Sequence, residues 1–186
     1  MSQQQADQKY IQMTQTPVEK LIIQLAIPSI ISMLVTTIYN AADTFFIGQI
    51  STSASAAVGV CFSMMSIIQA LGFFFGQGAG SSISRALGNQ AGDKAGELAS
   101  VGFYSAIIFG TLFAVTGIVF IEPLVYLLGA TDTIYPHAVE YLSIILVGAP
   151  IVAASFVLNN LLRFQGYSFY GMVGVTVGGV LNVVLD

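Results

Sequence analysis

Charged residues are scarce in this sequence. They make up 8% of the 186 residues, whereas hydrophobic residues make up 55%. A soluble domain has about a quarter of its residues charged, because polar groups must cover much of its surface. The composition therefore argues against an ordinary soluble fold and predicts a protein of the lipid bilayer.

Cysteine, histidine and basic residues are also few. The single cysteine, Cys61, cannot form a disulfide framework or a cysteine-based metal site. No nucleophile stands at a plausible spacing from a base, so we expect no enzyme and no cofactor. A net charge of −4 argues against nucleic acid as a partner.

Long apolar runs dominate what remains. About 20 apolar residues cross a bilayer as a helix, and strand-like alternation is absent. The sequence therefore predicts an all-α integral membrane protein, a polytopic helical bundle with five membrane helices. The predicted spans are residues 21–48, 56–80, 98–121, 137–162 and an incomplete fifth from 172 to 186.

The segments between these runs are polar or rich in small residues. Residues 1–16 lack the pattern of a secretory signal, and we interpret them as a polar cytoplasmic tail, flexible or amphipathic. Residues 17–186 form the transmembrane part. A turn is predicted at 51–55, loops at 84–97 and 163–171, and an irregular connection at 122–136.

The basic residues predict the orientation. Five are present, and alternate connections contain all of them: Lys9, Lys20, Arg85, Lys94 and Arg163. The positive-inside rule then places the N-terminus in the cytoplasm, with the protein in the cytoplasmic membrane.

Two carboxylates are predicted at membrane depth. Asp43 lies five residues before Gly48, and Asp186 lies 15 residues after Gly171, roughly 22 Å along a helix. Both depths fall in the outer half of the membrane. Charges at such depths usually line a water-filled cavity and have a function, so the two could share one pocket.

Polar neighbours accompany both carboxylates. Tyr39 shares a helix face with Asp43, as Asn182 does with Asp186, because each pair is four residues apart. The hydroxyl of Tyr141 could donate to a carboxylate. Such oxygens suit either Na⁺, held by Asp43, Asn182 and Asp186, or a proton relay.

Structural roles are the alternative for these residues. Asp43 could cap a turn near the outer interface, and Tyr141 could be an interfacial anchor. Depth counting also places Asn159 only a turn from Arg163, below the layer of Asp186.

Several segments together resemble the MATE (multidrug and toxic compound extrusion) transporters. They are LAIPSIISMLVTTIYNAADTFFIGQIS (25–51), GQGAGSSISRALGNQAGDKA (76–95), YLSIILVGAP (141–150), LNNLLRFQG (158–166) and LNVVLD (181–186). No single segment decides the resemblance, but their joint order covers nearly the whole chain from about residue 17.

The resemblance implies twelve helices in two lobes and cation-coupled antiport. This chain would be most of the N-terminal lobe, truncated in its fifth helix and lacking the C-terminal lobe as its partner. Asp43 matches an acidic residue on the first helix of the family, and Asp186 matches a second one on helix five of the DinF-like branch. Asn182 matches the asparagine one turn before Asp186, and Tyr39, Tyr141 and Asn159 match a supporting polar network.

The functional hypothesis is export of small organic, often cationic, compounds driven by Na⁺ or H⁺. One alternative is a lipid-linked oligosaccharide flippase of the same superfamily, although its anionic substrate favours a basic cavity that the predicted spans do not offer. Another is a membrane scaffold or inert fragment without transport.

Overall fold

Helices joined by short connections make up the part of the chain that the structure describes. The computed structural model describes residues 3–185, with side chains from residue 7 onward except at residue 50. Its helices are α1 (Gln3–Gln15), α2 (Val18–Ile50), α3 (Thr52–Gly88), α4 (Gly92–Val119), α5 (Ile121–Leu127), α6 (Tyr135–Phe164) and α7 (Ser168–Leu185). Five of these, α2, α3, α4, α6 and α7, are long and apolar enough to cross a membrane. The predicted all-α fold with five membrane helices is confirmed.

The predicted connections were too long. Residues 51–55 are not a turn, because Ser51 caps α3 by accepting a hydrogen bond from the Ala54 N–H at 3.0 Å. Most of 84–97 is helical rather than loop, and α3 continues past its apolar run because Ile83 and Ala86 are buried in the core. Hydropathy marks the apolar part of a helix, so it misses polar turns that extend beyond it.

Two further connections also contain helix. The stretch 122–136 was predicted to be irregular, but the short helix α5 occupies its first part. The stretch 163–171 was predicted to be a loop, yet only residues 165–167 separate α6 from α7. Within the N-terminal tail, residues 3–15 form α1.

Helices α3, α4 and α6 pack against one another around the main core. Glycines of α4 let the helices approach closely, as small residues do in membrane bundles. A Cβ on Gly102 would lie 2.7 Å from that of Ala79, and one on Gly110 would lie 2.9 Å from the Cα of Pro150. The Ser84 hydroxyl also donates to the Phe164 carbonyl at 2.9 Å, which joins the ends of α3 and α6.

Helices α2 and α7 form a separate pair beside this group. Each packs mainly against the other, with fewer contacts from α2 to α3 and from α6 to α7. Gly179 of α7 allows the close approach, since a Cβ there would lie 2.9 Å from Val35 and 3.0 Å from the Tyr39 ring. The incomplete contact between the pair and the three-helix group leaves a cavity between them.

Candidate functional site: a cavity between the helix pair and the three-helix group

A cavity of about 930 Å³ lies between α2, α3, α6 and α7. Its apolar walls include Phe73, Phe156 and Val175. Two glycines of α7 in the lining, Gly174 and Gly178, border open space, because a Cβ on either would meet no atom within 4 Å. The polar side chains of the lining are Ser32, Thr36, Thr37, Tyr39, Gln69, Ser155, Asn159, Asn160, Arg163, Tyr170 and Asn182.

Tyr39 and Asn182 lie toward one end of this cavity. The Tyr39 ring packs on Gly179, one turn before Asn182, so the structure brings these two predicted site residues to the same cavity. The Oδ1 atom of Asn182 is buried and accepts no hydrogen bond from the described residues. A buried acceptor without a donor costs about 1–3 kcal/mol, so a water molecule, a proton donor or a cation is expected beside it.

Asp43 lies one turn beyond Tyr39 on α2. Its side chain is partly exposed, although its Oδ1 atom is buried. It lies within electrostatic range of the Tyr141 hydroxyl, which is 4.0 Å from the Met65 sulfur. Asp43 and Tyr141 are thus near each other, but neither is part of the cavity lining.

Asn159 lies at the opposite end of the cavity. Its Nδ2 donates to the Gly171 carbonyl at 3.2 Å, and its Oδ1 accepts a hydrogen bond from Arg163 at 3.4 Å. Gly171 precedes Asn182 by eleven residues, or roughly 16 Å of helix. The structure therefore separates Asn159 from the other predicted site residues, at the depth that counting along the sequence indicates.

Asp186, predicted as the second coupling carboxylate, lies outside the described residues. Within residues 3–185, no three carboxylate, imidazole or thiol side chains converge as a metal site. The predicted Na⁺ ligand set of Asp43, Asn182 and Asp186 therefore stays a prediction.

Several lining residues were missed by the sequence reasoning. On α2, Ser32 and Thr36 precede Tyr39 by seven and three residues, which places all three on one helix face. That spacing could have identified them. Both hydroxyls donate to carbonyls one turn earlier, at 2.9 Å, so their oxygens remain available as acceptors. Gln69 and Asn160 carry no such signal, because only packing shows which face of α3 or α6 borders the cavity.

Comparison with known proteins identifies this arrangement of helices. The sequence profile of the MatE family matches residues 28–186, from within the first membrane helix onward. The chain belongs to the MatE family.

Relatives with known names and structures agree with this MatE assignment. The chain is 29% identical over 170 residues to an FAD transporter of Shewanella oneidensis, covering 91% of this chain and 38% of that protein. It is 28% identical over 181 residues to the multidrug export protein MepA of Staphylococcus aureus, covering 97% and 40% respectively. An outward-facing structure of a multidrug resistance MATE family transporter superposes with a TM-score of 0.89 at 32% identity, covering 95% and 39%.

The alignments cover nearly all of this chain but less than half of each relative. This chain spans about two fifths of the relatives that it matches. The predicted resemblance is confirmed for the family and for its membrane-embedded helical fold. The cavity between α2, α3, α6 and α7 is therefore a feature of a MatE protein, and the function of a whole transporter is argued separately below.

Proposed function

We propose that this chain is the N-terminal lobe of a cation-coupled antiporter that exports small organic, often cationic, compounds. The main support is the cavity of about 930 Å³. Toward one end of it lie the Tyr39 ring and the Asn182 Oδ1 atom, which is buried and has no hydrogen-bond partner among the described residues. A space of this size is in the range of small-molecule sites, which combine apolar walls with a few polar groups. Family membership and the likeness to a multidrug export protein support the transport function.

The coupling ion, in this proposal, binds at the end of the cavity near Tyr39. Asn182 supplies an amide oxygen, and Asp43, one turn from Tyr39, supplies negative charge together with Asp186. Na⁺ would use the oxygens as ligands, whereas a proton would neutralise a carboxylate directly. In either case the ion must bind the two conformations of the transporter with different affinities, because otherwise it cannot drive substrate release.

The branch of the family, the lobe and the membrane orientation are further parts of this proposal. Carboxylates at both 43 and 186 support the DinF-like branch, and coverage of about two fifths of each relative supports a single lobe. The distribution of lysine and arginine supports a cytoplasmic N-terminus in the inner membrane. The partner of this lobe would then be a second lobe of the same transporter.

A specific observation favours one alternative substrate class. Among the described residues that line the cavity, Arg163 alone has a full charge, and it lies at the end opposite Asn182. A guanidinium there would favour an anionic aromatic compound over a cation. One relative is an FAD transporter, which makes an anionic flavin the second candidate. A single arginine supports a lipid-linked pyrophosphate substrate less well, because such a headgroup needs more positive charge in the cavity.

Gradient-driven efflux from proteoliposomes that contain the intact transporter tests the proposal. The Asp43→Asn variant should lose coupling by about tenfold or more, because the carboxylate that senses the ion becomes neutral. Asp93→Asn, at an exposed position in the first turn of α4, is the matched control and should behave as wild type.

Efflux of ethidium and of a flavin dinucleotide is measured, each under a Na⁺ gradient and then under a pH gradient. The two compounds distinguish the substrate classes, and the two gradients distinguish the coupling ions. Ethidium export that stops with Asp43→Asn supports the main proposal. Export of the flavin alone selects the second candidate. Unchanged efflux and ion dependence in Asp43→Asn would remove Asp43 from the mechanism.

A further inference from the structure

A second, smaller cleft lies at the end of the bundle where α1 packs. Its volume is about 170 Å³, and it is separate from the cavity described above. Helix α1, the start of α2, the α6–α7 turn and the start of α7 enclose it. Its lining residues are Lys9, Gln12, Met13, Leu21, Gln24, Leu25, Pro28, Gly166, Ser168 and Phe169.

The α6–α7 turn is shaped to let α1 approach. Gly166 has a φ of +79°, in the left-handed region that favours glycine. A Cβ there would also lie 2.7 Å from the Met13 sulfur and 2.9 Å from Lys9 Cε. Each of these atoms lies near the end of a flexible side chain that can move aside, so the positive φ is the main reason for a glycine in this turn.

Ser168 presents a buried hydroxyl to the cleft. The residue is 5% exposed, and its Oγ has no hydrogen-bond partner among the described residues. A buried hydroxyl without a partner costs about 1–3 kcal/mol, and the other buried hydroxyl-bearing residue of the described chain, Ser32, avoids that cost by donating to a carbonyl. The orphan hydroxyl therefore indicates a hydrogen-bonding partner, a water molecule or a ligand, that the protein itself does not supply.

Ser168 is also the first residue of the 18-residue helix α7. The first N–H groups of a helix have no acceptor within it, and the helix dipole makes that end positive. The Tyr170 and Gly171 N–H groups donate to the Tyr167 carbonyl. The N–H groups of Ser168 and Phe169 have no acceptor among the described residues, so they remain for a ligand.

Lys9 adds a formal positive charge to the same cleft. Its ammonium donates to Gln12 Oε1 at 3.1 Å and lies 4.8 Å from the centre of the Tyr167 ring. Burial lowers the pKa of Lys9, which is the direction expected where no anion stabilises the charged form. An ammonium has three donors, so it can bind Gln12 and an anion together.

We propose that this cleft binds a phosphate group, held by the Lys9 ammonium, the Ser168 hydroxyl and the first N–H groups of α7. The donors suit three acceptor oxygens with negative charge, which is the usual ligand of a helix N-terminus. The cleft lies at the level where the membrane helices begin and end. The phosphate can therefore belong either to an anionic phospholipid headgroup or to a free phosphate ion.

Titration of the delipidated full chain in maltoside detergent tests this. One arm uses inorganic phosphate and the other uses phosphatidylglycerol. Bound ligands are counted by native mass spectrometry, and affinity is taken from the rise in melting temperature. One equivalent should bind, and Lys9→Gln and Ser168→Ala should each weaken binding about tenfold, the loss expected when a hydrogen bond to a charged group is removed.

The matched control is Lys20→Gln, which removes the same charge from a residue that does not line the cleft. Saturable binding in either arm, weakened by the two cleft variants and not by the control, supports the site, and the arm that binds identifies the source. Absence of binding in both arms overturns the proposal. So does equal weakening by Lys20→Gln. Without ligand, Ser168→Ala should melt at or above the wild-type temperature, which separates lost binding from lost folding.

Discussion

The three-helix group of α3, α4 and α6 differs from the α2–α7 pair in how it is held together. In the group, glycine and alanine bring backbones into contact, and a third of the most apolar 18-residue window of α6 is buried. The corresponding fractions are 22% in α3 and in α4, 17% in α7 and 6% in α2. Both regions border the cavity, but the pair carries Tyr39 and Asn182.

This difference separates rigidity from function within one bundle. Close packing of small residues gives the group one favourable arrangement, because any shift would produce clashes. The two helices of the pair contact the group less than they contact each other. One of the pair's buried polar atoms, Asn182 Oδ1, has no hydrogen-bond partner among the described residues. Ligand sites tend to occur where local stability is low, so we infer that the transport proposed above would move the pair against the group.

The largest expected effect comes from Gly110 in the three-helix group. Gly110→Leu would place a Cβ 2.9 Å from the backbone Cα of Pro150, which cannot rotate away. We expect destabilisation by about 1–3 kcal/mol, or loss of folded protein, because overpacking forces the backbones apart. Thermal unfolding followed by size-exclusion chromatography measures it.

Gly78→Leu is the matched control, since a Cβ there meets no atom within 4 Å. It should melt near wild type. If Gly110→Leu also melts near wild type, the group is not held by close packing.

A smaller effect of opposite sign is expected at Asn182 in the pair. Asn182→Leu removes a buried acceptor that has no partner, so the free energy of unfolding should stay constant or rise by roughly 1 kcal/mol. Ion-coupled efflux should fall at the same time. Chemical denaturation and proteoliposome transport, run on the same preparation, measure both.

Asn160→Leu makes the same change in the three-helix group. Asn160 is 3% exposed, and its Nδ2 donates to the Phe156 carbonyl at 2.8 Å, so this variant should lose stability. Equal losses at Asn182 and Asn160 would show that the two regions do not differ in this respect.

Much of the fold follows from the sequence, because lipid requires continuous apolar helices and the runs are unambiguous. The helix ends do not follow, since α3 and α4 extend into polar sequence where packing, not hydropathy, maintains the helix. For the site, helical spacing linked Tyr39 to Asp43, and the structure adds that Tyr39 and Asn182 share a cavity. Gln69 and Asn160 could not be predicted, because their position at the cavity depends on how helices rotate against one another.

We propose that the cavity between the pair and the group is the transport site. Gly178→Trp in the intact transporter tests it most directly, because Gly178 lines the cavity and a Cβ there meets no atom within 4 Å. Gly59→Trp on α3, equally unobstructed but outside the lining, is the control. We predict that Gly178→Trp abolishes efflux with an unchanged melting temperature, while Gly59→Trp transports normally. Wild-type efflux in a folded Gly178→Trp protein would contradict the account.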